Sequence, residues 1–139
     1  MRGVIDVPFG GYAGALAGAV IPLLLGAAAV QSRTSPTVVD IRLSEWKVEV
    51  SAGTVPAGQV VFRVANGGRL EHAFEVEGKG LEQRTAPIAA GADGTLSVKL
   101  KPGRYELYCP VGNGAHKQAG MKATIEVVTA EESAPSSNY

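Results

Sequence analysis

The chain has 139 residues, 45% of them hydrophobic, enough for the core of one domain and no more. Lysine plus arginine equals aspartate plus glutamate, 13 against 13, and the balance is 12 against 12 once Arg2 and Asp6 of residues 1–32 are set aside. This neutrality excludes the basic footprint of a nucleic-acid binder and gives no sign of a strongly charged partner, and a single cysteine excludes an intramolecular disulfide.

Residues 7–32 carry no charge, and their apolar centre is Ala15–Val30. Arg2 and the free amine precede the stretch, offset by Asp6, and Ala27-Ala28-Ala29 fits a small-residue cleavage site. Two readings compete, a cleavable secretory signal and an uncleaved membrane-anchor helix. Gly14, Gly18, Pro22 and Gly26 weaken a soluble helix here, although membrane helices tolerate such residues. A buried core helix is the plain alternative. Either favoured reading sends residues 33–139 across a membrane, to a periplasmic or other extracytoplasmic location. No cysteine stands near Ala29, so lipoprotein anchoring is excluded.

After the polar linker Gln31–Pro36 the pattern turns to alternation. Thr37–Leu43, Trp46–Val50, Gln59–Val64, His72–Val76, Gly94–Leu100, Arg104–Cys109 and Lys122–Val128 read as strands. Ala52–Gly58, Asn66-Gly67-Gly68, Gly78-Lys79-Gly80 and Lys101-Pro102-Gly103 read as turns. Leu81–Ala92 is irregular, a loop or an edge segment. Trp46, Phe62 and Phe74 are expected in the core. About seven short strands with turns between them predict an all-β sandwich or barrel. The expected organisation is a leader or anchor over 1–32, one domain over 33–128 and a frayed polar tail over 129–139.

Beyond residue 32 the soft ligands are His72, Cys109, His116 and Met121. Cys109, His116 and Met121 follow a Cys-x6-His-x4-Met spacing, and His72 lies upstream. Two imidazoles, a thiolate and a thioether are the donor set of a blue-copper electron-transfer site. Cu(I) favours soft sulfur and Cu(II) favours nitrogen, so a mixed set lets the ion change charge with little movement. Four protein ligands leave no open position for a substrate, which argues against an enzyme.

The stretch Glu71-His72-Ala73-Phe74-Glu75-Val76, together with Gly103-Arg104-Tyr105-Glu106-Leu107-Tyr108-Cys109-Pro110-Val111-Gly112 and the following His116 and Met121, resembles the cupredoxins. Within them it is similar to small exported type 1 (blue) copper proteins of the rusticyanin, sulfocyanin and plastocyanin-like kind, over about Thr37–Val128. The resemblance implies a Greek-key sandwich. It also implies one mononuclear copper ion with His72, Cys109 and His116 as equatorial ligands and Met121 as a weak axial one. It further implies that His116 lies nearest the surface, within an apolar docking patch of Pro110, Val111, Ala115 and Ala119. One departure stands out. Familiar members place two or four residues between the cysteine and the loop histidine, whereas here there are six, Pro110–Ala115, a length expected to loosen the site or shift its potential.

Each of these residues alone has a plainer reading: a buried apolar cysteine, a core methionine, a hydrogen-bonded histidine. Zinc competes for one thiolate and two imidazoles, but structural zinc sites favour paired cysteines, absent here. A catalytic Cys109–His116 pair is a further alternative. A dinuclear copper centre needs a second cysteine. The expected function is single-electron carriage by a monomeric domain, with a cytochrome or terminal oxidase as the kind of partner. The alternative is copper storage, delivery or sensing.

Overall fold

The computed structural model describes Gly10 and residues 34–133, and the latter fall within one compact unit. The expected leader or anchor over 1–32 lies outside the described residues. So does the end of the tail, 134–139; its first part closes as a turn in which Thr129 donates to Glu132.

Period-two alternation builds the first sheet. β1 (Thr37–Ser44) buries Val39, Ile41 and Leu43, and β4 (Gly58–Asn66) buries Val60, Phe62 and Val64. With β2 (Lys47–Val50) and β7 (Asp93–Leu100) they form the order β2-β1-β4-β7. The second sheet contains β3 (Thr54–Pro56), β5 (Glu75–Gly78), β6 (Leu81–Arg84), β8 (Gly103–Tyr108) and β9 (Lys122–Val128), in the order β3-β9-β8-β5-β6. β1 runs parallel to β4 and β3 parallel to β9, while the remaining pairs are antiparallel. The chain therefore crosses repeatedly between the sheets, and the two inner faces enclose one core. Phe62 and Phe74 meet across it, with ring centres 5.1 Å apart and planes tilted at 52°, a contact worth about 0.5–1.5 kcal/mol beyond its area. Tyr105 ties a corner: its hydroxyl donates to the Lys101 carbonyl at 3.0 Å and accepts from the Lys101 N–H at 3.1 Å.

The all-β two-sheet class is as expected, with three differences in detail. First, β3 emerges from the stretch read as a turn and β6 from the irregular middle. β3 buries only Val55, and β6 has no buried residue, so neither carries an alternating signal. Second, the stretch read as a strand from His72 pairs regularly only from Glu75; His72 makes a single bridge to Ile88. His72 to Val76 are all buried, because both sides of this segment are covered, and a continuous buried run has no period to mark its start. Third, Phe62 and Phe74 are core residues but Trp46 is not, being 45% exposed at the turn between β1 and β2.

Candidate metal centre

Three chain segments meet at one end of the sandwich. Cys109 is the first residue past β8, and His72 precedes β5. His116 sits in α1 (Ala115–Gln118), a single helical turn, and Met121 immediately precedes β9. The long Pro110–Ala115 span is coiled rather than loose. Gly112, Asn113 and Gly114 take φ values of 71°, 57° and 86° in succession, a left-handed run that suits glycine and asparagine. Gly114 N–H donates back to Pro110 O at 3.2 Å and Ala115 N–H to Gly112 O at 3.0 Å. Met121 N–H donates to His116 O, and Cys109 N–H to Met121 O, both at 3.1 Å. This backbone ladder closes the loop on itself, so its length does not free Cys109, His116 or Met121.

The donor atoms converge. Nδ1 of His72 lies 3.1 Å from Nδ1 of His116. Cys109 Sγ lies 3.8 Å from the first and 3.6 Å from the second. A triangle with these sides has its centre about 2.0 Å from each corner, the length of a metal–nitrogen bond and slightly under a metal–sulfur bond. No other cluster of three such side chains lies close enough for a shared ion among the described residues. His72, Cys109 and Met121 are fully buried, and His116 is partly exposed. The donor set therefore fits a copper ion in both size and chemistry, and the three converging residues form a candidate type 1 copper site. Met121 is held beside His116 and Cys109 by its backbone.

Supporting groups fix each donor. Ala73 N–H donates to Cys109 Sγ at 3.5 Å. His72 exchanges backbone hydrogen bonds with Ile88 at 3.1 and 2.7 Å. Asn66, buried at the end of β4, donates to the carbonyls of Ile88 and Leu70 at 2.9 Å and accepts from Gly68 N–H at 3.0 Å. The far nitrogen of His72, Nε2, lies 3.0 Å from Oε1 of Glu45. That oxygen also accepts from the N–H groups of Arg69 and Leu70 at 2.8 and 2.9 Å. The Leu70 N–H chiefly holds the Glu45 carboxyl at about 2, with Arg69 and His72 adding to it and burial opposing. Burial lowers the proton affinity of His116; neighbouring His72 lowers it further and Glu45 opposes.

The outer side of the loop is pinned as well. Lys117 extends its ammonium over the Tyr108 ring, 3.6 Å from the centroid, and bonds Glu106 at 2.8 Å. Tyr108 OH lies 2.6 Å from Glu75 Oε1, to which it donates, and 3.0 Å from Glu77 Oε2. Burial first, then these carboxylates, push the phenol far above its usual range. Trp46 stands edge-on to His116. Exposed Leu70, Ala115 and Ala119, with half-buried Pro110 and Val111, share this end of the chain's fold.

Sequence reasoning singled out every converging donor. It missed Glu45 and Trp46, which belong to a different turn, and the polar role of Asn66. Gly67 and Gly68 read as turn glycines, but at Gly68 the requirement is space: a Cβ there would collide with the Glu45 carboxylate.

The family model described as "Cupredoxin-like domain" matches residues 15–127. No curated protein matches the chain. Among solved structures, the fold is similar to reduced auracyanin from the photosynthetic bacterium Roseiflexus castenholzii, with TM-score 0.58 and 19% identity over 68% of this chain and 98% of that one. It is also similar to auracyanin A, a "blue" copper protein from the green thermophilic photosynthetic bacterium Chloroflexus aurantiacus, with TM-score 0.54 and 15% identity over 68% and 100%. A multicopper oxidase shares the fold at TM-score 0.52 and 12% identity, over 66% of this chain but 44% of the oxidase.

Proposed function

The chain belongs to the cupredoxin-like domain family, and from that premise we propose that it is a small type 1 copper protein carrying single electrons between redox partners. The observation that carries this reading is the buried triangle of His72 Nδ1, His116 Nδ1 and Cys109 Sγ. These three would hold the ion, with Met121 as the weaker fourth donor. Copper would supply a reversible one-electron couple there.

The residues of the chain do the rest. Burial of His72, Cys109 and Met121 keeps water and oxygen from the thiolate. The hydrogen bonds from Ala73 and within the 109–121 loop hold the donors in one arrangement. A change of charge then requires little rearrangement, which favours fast transfer. His116 alone among the three reaches toward solvent, so the electron enters and leaves past it, beside Trp46. The small-carrier reading is supported by the similar auracyanins, which are matched over nearly their whole length. We place the domain outside the cytoplasmic membrane, with residues 1–32 as its signal or anchor. Its partner class would be a cytochrome or terminal oxidase. Within the family, the reading keeps to the small exported proteins that the rusticyanin, sulfocyanin and plastocyanin-like resemblance suggests.

Cyclic voltammetry of the copper-loaded chain tests electron carriage. A reversible one-electron wave with fast electrode kinetics is expected. Sluggish, irreversible waves together with ready surrender of Cu(I) to a chelating acceptor would indicate copper delivery instead.

A further inference from the structure

We infer that Glu45 is a positioning residue for the metal centre: its carboxylate fixes which nitrogen of His72 faces the ion and biases the site toward Cu(II). The inference rests on the copper reading above. Three observations meet at this side chain. The His72 ring is fully buried, so neither nitrogen can turn to water for a partner. Nδ1 points at Cys109 and His116, while Nε2 points at Glu45 Oε1, 3.0 Å away. An ionised carboxylate can only accept, so Nε2 carries the proton and Nδ1 presents its lone pair to the centre.

The carboxylate is itself held in place. Oε1 accepts from the consecutive backbone N–H groups of Arg69 and Leu70, and Gly68 leaves the room it occupies by lacking a side chain. The segment carrying those donors is anchored by Asn66 through Leu70 O and Gly68 N–H. Glu45 thus connects the β1–β2 turn to the chain that leads into His72. A negative charge bonded to the far side of this buried ring strengthens the imidazole as a donor. The more highly charged ion gains more from a stronger donor, so the carboxylate stabilises Cu(II) over Cu(I) and lowers the reduction potential.

The test compares the full chain with Glu45→Gln and Glu45→Ala. Glutamine keeps an oxygen for Arg69, Leu70 and His72 but removes the charge. Outer-shell changes of this kind are typically worth 10–100-fold in metal affinity. Glu45→Gln should shift the Cu(II)-to-Cu(I) affinity ratio about tenfold toward Cu(I), which raises a one-electron potential by about 59 mV. An unchanged or lowered potential in this variant would overturn the charge role. The second readout needs no copper. Nitrogen-15 NMR of the metal-free chain at alkaline pH should find His72 protonated at Nε2, with that preference kept in Glu45→Gln and lost in Glu45→Ala. Protonation at Nδ1 in the unmodified chain, or an unaltered tautomer in Glu45→Ala, would overturn the positioning role. Failure of the unmodified chain to bind copper through Cys109 would instead defeat the copper reading, and the NMR result would still decide the part played by Glu45.

Discussion

The indole of Trp46 stands edge-on to the imidazole of His116, with ring centres 5.0 Å apart and planes at 78°. Trp46 is the one tryptophan of the chain, and it is 45% exposed. A redox-active ion on the other side of that imidazole is close enough to quench the indole. Titration with Cu(II) should remove more than half of the tryptophan emission and saturate at one equivalent, while Zn(II) should remove little. Emission that is indifferent to copper would separate Trp46 from the metal centre.

Asn66 uses its buried amide three times, joining Leu70, Ile88 and Gly68 beneath His72. Replacement by alanine leaves two carbonyls and one N–H without this partner. At the usual cost of unmet buried groups, Asn66→Ala should destabilise the metal-free domain by about 2–4 kcal/mol. Urea unfolding measures this, and a loss below about 1 kcal/mol would mean that water or a local shift replaces the amide.

The four candidate ligands were legible because their chemistry is rare in this chain. Cys109, His116 and Met121 lie on one loop, and His72 is the other of the chain's two histidines. The alternation of β1, β4 and β7 was legible for a different reason: one face of each strand is buried and the other is wet. What escaped has no local signature. Glu45 meets His72 from 27 positions away, and only the β1–β2 turn brings them together. Trp46 heads the alternating stretch Trp46–Val50 and so reads as a core residue, yet it lies in the turn after a strand whose inward positions end at Leu43. The long Pro110–Ala115 span hinted at looseness, but Gly112, Asn113 and Gly114 coil it into hydrogen-bonded turns. Such ordering depends on which carbonyls lie within reach, which the spacing alone does not show.

Met121 is fully buried, and its backbone links His116 to Cys109. As the proposed fourth donor, its thioether would favour Cu(I). Met121→Gln presents a harder oxygen and should lower the reduction potential. Voltammetry of the two copper-loaded proteins checks the sign, and an unchanged potential would remove Met121 from the ligand set.

The pH dependence of the metal-free domain should show two steps. The Glu45 carboxyl is lowered from 4.5 to about 2 in the folded chain. Its contribution is therefore complete above pH 4.5 and is lost as pH falls toward 2. Glu45→Gln should flatten the stability profile in that window. His116 is also lowered, from 6.5. Below that pH the unfolded chain takes up a proton more readily than the folded one, so stability should begin to decline there. Denaturant midpoints measured from pH 8 to pH 3 test both signs, and a profile that rises on acidification would contradict them.

The most direct test of the metal centre is the visible absorption spectrum of the full chain after addition of one equivalent of Cu(II), taken beside that of Cys109→Ser. An intense blue band from thiolate-to-copper charge transfer is expected in the first, and its absence in the second with the β-sheet circular dichroism retained. A colourless product that prefers zinc, or a blue band that survives in Cys109→Ser, would contradict a copper site built on His72, Cys109 and His116.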